Sequence, residues 1–370
     1  MDVLTQVRKK IIRRIDWWVI GGIFFLITVG LTIQYSIGLN QSTPDLSAFY
    51  KQLIFVMLGL VLFLLVNVFD YRVIKIHPFI FIAVSVIILI AVLLFGSTIN
   101  GATGWFVIGP VSFQPVEFVK FFFILFMAIY LDPDPHRIQQ PRYFFFTGGV
   151  AAFLIGLILL QPDTGSSFII FMIWFSYVVI LKTPKRYIAL VVASVLAASV
   201  LAWFLLFPQY QKDRLTTFLH PSSDPLDTGY NLQQSIVAVG SGSLWGRGLG
   251  LGTQSQLHFL PEVSSDFIFA VIAEEFGFIG VLLLFTAWFI IIFRLWRTLW
   301  YTKAPYTFLI ILGTISYLAV QTVMVVGMNV GLLPVTGVPL PLVSAGGSSM
   351  IMTLILLGIC HAISVHQTND

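Results

Sequence analysis

Ten long apolar segments determine what this chain can fold into. They cover residues 17–38, 50–69, 78–96, 114–131, 143–161, 166–181, 187–207, 266–293, 306–328 and 345–364. A helix that crosses a bilayer needs about 20 mostly apolar residues, and most of these segments approach that length. Only 10% of the residues are charged, whereas soluble domains carry about a quarter. We therefore predict an all-α integral membrane protein with about ten transmembrane helices.

The basic residues predict the orientation of these helices. An even number of spans places both termini on one side, and fifteen of the twenty lysines and arginines lie on that side. They are Arg8, Lys9, Lys10, Arg13, Arg14, Arg72, Lys75, Arg137, Arg142, Lys182, Lys185, Arg186, Arg294, Arg297 and Lys303. Because cytoplasmic loops are rich in Lys and Arg, we predict cytoplasmic termini. These residues are dispersed over short loops, so the net charge of +4 does not indicate a nucleic-acid partner.

The longest connection joins the seventh and eighth apolar segments and covers residues 208–265. Loops longer than about 15 residues usually carry a function or are disordered. This loop contains aromatic and aliphatic residues throughout, as in YQKDRLTTFL and QSIVAVGSGSLW, so we expect it to fold back on the helices. We predict a single domain over residues 1–370, with 208–265 as a large extracytoplasmic loop within it.

Asp266 lies where this loop enters the eighth apolar segment. Small residues follow it at helical spacing, namely Ala270, Ala273, Gly277 and Gly280. Such a stripe allows close helix packing, so the aspartate is predicted to face the bundle or a cavity and to carry chemistry there. Aspartate is also a favoured helix N-cap, and capping is the alternative role.

Four other charged residues lie where they could face an outer cavity. Glu117 and Lys120 are three residues apart on one helix face, where they either serve a site or neutralise each other. Asp163 follows a proline and precedes a helix, as a cap would. Lys51, at the outer end of the second span, is either a snorkelling anchor or a cavity residue.

Two further patterns exclude other chemistry. The run SGSLWGRGLGLG lacks the Gly-Lys-Ser/Thr ending of a phosphate-binding P-loop, and the six histidines lack metal-ligand spacing. The sequence therefore predicts neither nucleotide hydrolysis nor a zinc site.

Glu274 and Glu275 lie inside the eighth segment, where at least one must be protonated or hydrogen-bonded.

Six segments carry long motifs in a fixed order over nearly the whole chain. They are QPVEFVK (114–120), QPDTG (161–165), DPLDTGYNLQQS (224–235), GTQSQLHFLPE (252–262), DFIFAVIAEEFG (266–277) and GLLPVTGVPLPLVSAGGSS (331–349). Together they resemble the SEDS family (shape, elongation, division and sporulation) of peptidoglycan glycosyltransferases, most closely its RodA branch. Several long motifs in one order make this resemblance highly specific.

The resemblance implies polymerisation of lipid II for cell-wall elongation. The GlcNAc 4-hydroxyl of one molecule joins the MurNAc anomeric carbon of another with inversion, and undecaprenyl pyrophosphate leaves. The family's catalytic aspartate corresponds to Asp266, as the base for the hydroxyl. The departing pyrophosphate needs charge compensation. The candidate substrate-binding residues are Lys51, Glu117, Lys120, Asp163, Arg214, Arg247 and Glu262.

No cofactor is evident from the sequence. A divalent cation, Mg²⁺ or Mn²⁺, held by acidic residues such as Asp266 would compensate the pyrophosphate charge as basic side chains do. The resemblance also implies a class B penicillin-binding protein as the partner that supplies the transpeptidase, and a bacterial inner membrane as the location.

The chain departs from the family pattern near the predicted site. Ser264 and Ser265 stand where relatives usually carry His and Thr. Val116, Val325 and Ala345 stand where relatives usually carry Ser, Asn and Tyr. Each of these last three replacements removes a polar group, so the departures bear on the catalytic rate and not on the fold.

Two alternative functions remain open. A lipid II flippase would use Glu117 and Lys120 along a path through the membrane, whereas a catalytically weak scaffold would only support the penicillin-binding protein. A flippase needs ionisable groups along its path, and a polymerase needs them clustered at the outer face. The distribution of acidic residues favours the polymerase.

Overall fold

The structure is a computed structural model that describes residues 15–39, 44–68, 75, 77–99, 102–109, 111–205, 212, 216–218, 228–256, 259–260 and 262–367. Its α-helices are α1 (Trp17–Leu39), α2 (Ser47–Val68), α3 (Pro78–Phe95), α4 (Val116–Tyr130), α5 (Pro141–Leu159), α6 (Thr164–Ile180), α7 (Lys185–Leu205), α8 (Thr228–Ser241), α9 (Thr253–Gln256), α10 (Ile268–Tyr301), α11 (Pro305–Asn329) and α12 (Gly347–Gln367). A 3₁₀ helix covers Pro135–Gln139.

Each of the ten predicted apolar segments contains one of these helices, which confirms the predicted all-α class. Seven of the helices in the described ranges are long and apolar enough to cross a membrane, namely α1, α2, α3, α5, α10, α11 and α12. Helix α6 is apolar but shorter, with 17 residues. The protein is therefore a multi-pass membrane protein, and the number of ten spans stays a prediction.

Helices α11 and α12 form the centre of the bundle. In their most apolar windows 72% and 83% of the residues are buried, against 22% for α2 and α3. Helix α12 packs against α2, α10 packs against α1, and α11 contacts α4, α6 and α10. The outer helices leave large apolar side chains exposed, among them Leu64, Ile87 and Phe289. Such a surface is suited to contact with lipid, because an exposed apolar side chain carries no free-energy penalty against hydrocarbon.

A polar cluster joins the first and last long helices at one end of the bundle. Arg294 Nε donates to Asp16 Oδ2 at 2.7 Å, and the Asp16 backbone N–H donates to His361 Nε2 at 3.3 Å. His361 Nδ1 lies 2.6 Å from Asn67 Oδ1. The start of α1 and the last turns of α12 therefore lie at the same end, as an even number of spans requires.

Three short strands interrupt the helical pattern after α3. They are β1 (Ser97–Ile99), β2 (Ala102–Ile108) and β3 (Val111–Phe113), paired antiparallel in the order β1-β2-β3. Thr103 pairs with Thr98, and Val107 with Ser112. This stretch lies between the predicted apolar segments 78–96 and 114–131, where strands this short give no signal in a window suited to transmembrane helices.

Helix α10 is broken at Gly277, which has φ 64° and ψ −165°. The loop 242–248 lies against the break and satisfies its backbone groups. Phe278 N donates to the Ser243 carbonyl at 2.9 Å, and Ile279 N to the Leu244 carbonyl at 3.2 Å. In return, the N–H groups of residues 247 and 248 donate to the carbonyls of residues 274 and 275. Irregular backbone beside lipid is stable only when it is satisfied in this way.

The break corrects one expectation. A continuous small-residue stripe from Asp266 to Gly280 was predicted, but the helical spacing ends at Gly277. Gly242 lies so close to α10 that a Cβ there would overlap the Ala273 carbonyl. The buried small residues Ala270, Ala273 and Gly277 therefore do allow close packing. The described part of the long loop packs against α10 at Ala273 and Gly277. This contact confirms that the described part of the loop folds back on the bundle.

Candidate active site

A cavity of about 320 Å³ opens at the end of the bundle where α6, α10 and α12 begin. Its wall is built from β2 and β3, from the segment before α10 and from the segment between α11 and α12. The lining residues are Trp105, Ser112, Gln114, Pro162, Asp163, Glu262, Ser264, Ser265, Asp266, Val335, Thr336, Gly337, Pro339, Ala345, Gly346, Gly347, Ser348 and Ser349.

Asp266 lines this cavity and is half-buried. Its Oδ2 lies 3.7 Å from the position that a Cβ on Gly337 would take, so the Gly337 backbone lies within van der Waals reach of the carboxylate. Gly337 also has φ 68°, a conformation that favours glycine. Asp266 therefore faces a cavity, as predicted.

Asp266 lies one residue before the N-cap position of α10, so it is not the N-cap residue itself. Helix α10 begins at Ile268, and its N-cap residue is Phe267, whose side chain makes no capping bond. The cap comes instead from α11, where Asn329 Oδ1 accepts from the Ala270 N–H at 3.1 Å. Asn329 therefore satisfies one of the N–H groups at the start of α10 from another helix.

The backbone around Asp266 is fixed on both edges. The N–H groups of residues 265, 266 and 267 all donate to the Glu262 carbonyl, at 3.2, 3.1 and 3.4 Å. The three carbonyls of residues 264–266 accept hydrogen bonds from the segment 329–345. The donors are, in that order, Ala345 N at 2.8 Å, Ser344 Oγ at 2.6 Å and Asn329 Nδ2 at 2.9 Å.

Asp163 and Glu262 lie in the same cavity as Asp266. Asp163 is the N-cap of α6, as predicted, because its Oδ1 accepts from Ser166 N at 2.8 Å. Its Oδ2 accepts from Gln114 Nε2 at 3.5 Å, so capping and lining the cavity occur together. Glu262 is exposed, and its Oε2 accepts from Ser265 Oγ at 3.0 Å. Three of the candidate residues thus converge, although Asp163 is far from Glu262 and Asp266 in sequence.

Glu117 and Lys120 form a fully buried ion pair, with 2.7 Å between Lys120 Nζ and Glu117 Oε1. They do not line the cavity but connect to its wall. Lys120 Nζ donates to Gln321 Oε1 at 3.4 Å, and Gln321 Nε2 donates to the Pro339 carbonyl at 2.8 Å. Tyr317 donates to the other Glu117 oxygen at 3.4 Å. The pair therefore neutralises itself, as one interpretation predicted, and a role in substrate binding stays a prediction.

The described basic candidates Lys51 and Arg247 do not line the cavity. Lys51 is exposed at the start of α2 and is one of the charges that lower the pKa of Asp45, after the hydrogen bonds from Ser47. Arg247 is exposed on the glycine-rich loop, where it donates to Thr253 Oγ1 at 3.1 Å. Arg214 lies outside the described residues.

Glu274 and Glu275 are both hydrogen-bonded, as predicted. Glu274 accepts from the backbone N–H groups of Gln254 and Ser255 at 2.9 and 3.0 Å, which holds the first turn of α9. Glu275 accepts from Gln256 Nε2 at 2.7 Å. These buried carboxylates stabilise the packing of the long loop and lie apart from the cavity lining.

The charge of the cavity differs from the expectation. Its described lining contains three acidic residues and no lysine or arginine. Among the described residues, no group of three or more His, Cys, Asp or Glu side chains is arranged to hold a metal ion. A divalent cation here would need oxygen ligands from the substrate in addition to carboxylates, a common arrangement for Mg²⁺.

Several cavity residues were not named as candidates. Ser348 and Ser349 belong to a motif segment that signalled the site only as part of the resemblance, and Ser348 Oγ accepts from Gln114 N at 2.9 Å. Trp105 and Ser112 come from the small sheet, whose contribution no sequence pattern indicated.

Residues 12–369 match the cell cycle protein family of FtsW, RodA and SpoVE. The chain belongs to this family. The FtsW/RodA/SpoVE match covers nearly the whole chain and confirms the SEDS resemblance that the motifs predicted. Its members include a relative at 38% identity, the peptidoglycan glycosyltransferase MrdB of Escherichia coli K12, aligned over 299 residues that make up 78% of each chain. The stage V sporulation protein E of Bacillus subtilis is 34% identical over 92% of this chain and 94% of its own.

Two solved structures share the fold of this FtsW/RodA/SpoVE chain. A chain of a peptidoglycan synthase complex that coordinates polymerization and crosslinking superposes with a TM-score of 0.80 at 29% identity, over 96% of this chain and 99% of its own. The rod shape determining protein RodA of Thermus thermophilus gives 0.71 at 26% identity, over 96% and 98%. Together with the named relatives, these matches confirm the predicted enzyme class, a peptidoglycan glycosyltransferase.

Proposed function

We propose that this glycosyltransferase polymerises lipid II in the cavity around Asp266, with Asp266 as the general base. The carboxylate takes the proton of the GlcNAc 4-hydroxyl of one lipid II molecule. The oxygen then bonds to the MurNAc anomeric carbon of the other molecule. The bond from that carbon to the pyrophosphate breaks, and undecaprenyl pyrophosphate leaves with the electron pair. A single displacement of this kind inverts the anomeric centre.

The observation that carries the proposal is the fixed position of a half-buried carboxylate in a cavity at one end of a membrane bundle. General-base catalysis needs a carboxylate within hydrogen-bond reach of the hydroxyl it activates. The hydrogen bonds on both edges of residues 264–266 keep Asp266 in place before substrate arrives. Such preorganisation lets binding energy serve the reaction instead of ordering the site.

The buried ion pair counts against the flippase alternative. A translocation path would need ionisable groups open to a polar passage, but Glu117 and Lys120 are closed into bonds with each other. The carboxylates that line the cavity instead cluster at one end of the bundle. This distribution supports a polymerase.

Location and partner are part of the same proposal. The excess of basic residues predicts cytoplasmic termini, which would place the cavity at the outer face of a bacterial inner membrane. A class B penicillin-binding protein would supply the crosslinking activity. The structural likeness to a chain of a synthase complex supports such a partner.

Polymer formation tests the function directly. The purified full chain, alone and with a class B penicillin-binding protein, is supplied with labelled lipid II in detergent, and products are separated by size. We expect glycan polymer in both reactions. Polymer that forms only with the partner and is unchanged by Asp266→Ala would favour the scaffold, and lipid II translocation in vesicles without polymer would favour the flippase. No polymer from a folded complex under varied metal conditions would refute the proposal.

The acidic cavity leads to a prediction about divalent cations. Three carboxylates and no described basic residue face a substrate that carries a pyrophosphate, so we expect polymer yield to fall on chelation and to recover with Mg²⁺ or Mn²⁺. Yield is measured after EDTA treatment and then against added metal, with Ca²⁺ and Na⁺ at matched ionic strength as controls. Unchanged yield in excess EDTA would contradict the prediction and direct attention to Arg214 and other basic residues.

A further inference from the structure

Asn329, the last residue of α11, reaches across to the start of α10 with a completely buried side chain. Its Nδ2 donates to the Asp266 carbonyl at 2.9 Å and to the Val325 carbonyl at 2.8 Å. Its Oδ1 accepts from the Ala270 N–H at 3.1 Å. The Asn329 carbonyl in turn accepts from Ser235 Oγ at 2.8 Å, which ties α8 to the same point.

These bonds act on two parts of the peptide that carries Asp266. The first N–H groups of a helix have no partner within the helix and need an outside acceptor. Phe267 offers no side-chain acceptor at the start of α10, so Asn329 supplies it from another helix. The same amide holds the carbonyl of Asp266 itself. One side chain therefore fixes both the helix start and the residue two positions before it.

We propose that Asn329 is a positioning residue for Asp266. It holds the aspartate backbone so that the carboxylate projects into the cavity at a constant place. Asn329 is absent from the cavity lining, so it acts through Asp266 and not on substrate. The inference rests on the proposed role of Asp266 as base and adds the group that keeps this base aligned.

The test is a kinetic comparison of Asn329→Leu with the native chain in the lipid II polymerisation assay. Leucine has a similar volume but makes none of the amide's hydrogen bonds. We expect kcat to fall about 10- to 100-fold, since a displacement of about 1 Å at a reacting group can cost that much. KM should stay within about twofold, because substrate contacts are retained.

Asn67→Leu is the control for loss of an amide that bonds a helix carbonyl elsewhere, at a half-buried position. Asn67 donates to the Phe63 carbonyl at 2.7 Å and contacts His361 at the other end of the bundle. We expect thermal stability to fall in both variants but kcat to fall only in Asn329→Leu. Equal losses of kcat in the two variants, or native kcat in Asn329→Leu, would overturn the inference.

A second variant covers failure of the first to fold. Asn329→Ser leaves a small polar group that cannot reach both Ala270 N and the Asp266 carbonyl, so the same fall in kcat at constant KM is expected. Native kcat in this variant would also overturn the inference. If Asp266→Asn retains activity, the proposed base is wrong. If Asp266→Asn is inactive while Asn329→Leu and Asn329→Ser keep native kcat, only the positioning role is wrong.

Discussion

Replacing Asp266 with asparagine is expected to reduce polymerisation about 10²- to 10⁴-fold, the range that a general base contributes. Asparagine has nearly the same shape and keeps the backbone hydrogen bonds of residue 266, but its amide cannot accept the hydroxyl proton. We therefore expect kcat to fall, with a native melting temperature and little change in KM. The rate of polymer formation from labelled lipid II measures the effect, and Asp266→Ala should give a comparable loss.

The control removes a carboxylate elsewhere. Asp134, the N-cap of the 3₁₀ helix after α4, accepts from the His136 N–H at the end of the bundle opposite the cavity. Asp134→Asn should therefore polymerise at the native rate. If folded Asp266→Asn keeps more than about one tenth of the native rate, Asp266 is not the base, because the loss of a general base lowers the rate by more than that.

Replacing Lys120 with methionine is expected to destabilise the protein by about 3–5 kcal/mol, because it leaves Glu117 buried without its partner. Both side chains are about 1% exposed, so water cannot take the place of the lost ammonium group. Thermal unfolding in detergent measures the loss. Lys185→Met removes an exposed lysine at the start of α7 and should leave the melting temperature nearly unchanged.

A double variant separates the two interpretations of this pair. Glu117→Gln combined with Lys120→Met removes both charges, and replacing a buried pair by uncharged groups is often close to neutral. We expect the double variant to recover most of the lost stability. A folded Lys120→Met protein with native stability but no polymerisation would instead show that Lys120 serves the substrate.

The helices could be predicted from the sequence because apolar length alone determines them. All ten apolar segments are helical, including α4, which carries the buried pair of Glu117 and Lys120. The break in α10 could not be predicted, since Gly277 also fits a continuous small-residue stripe. Only the approach of loop 242–248, distant in sequence, shows that this glycine ends the helical path.

The candidate site could be predicted in part. Asp163, Glu262 and Asp266 were each named, but their meeting in one cavity depends on how α6 and α10 pack, which spacing within one segment cannot show. Asn329 was missed because a capping residue normally lies next to the helix it caps. Relatives usually carry Asn where this chain has Val325. The chain carries an amide at Asn329, one helical turn later on the same face.

The path of the backbone at residues 264–266 is set by hydrogen bonds of its own N–H and carbonyl groups. Every bond that sets this path runs from a backbone group to a donor or acceptor elsewhere, and none needs a particular side chain at 264 or 266. Serine can therefore stand at 264 and 265, where relatives usually carry histidine and threonine, without displacing the aspartate that follows. Position 264 is therefore open to evolutionary or engineered changes in substrate preference, whereas position 265 needs a hydroxyl, as in serine or threonine, to donate to Glu262.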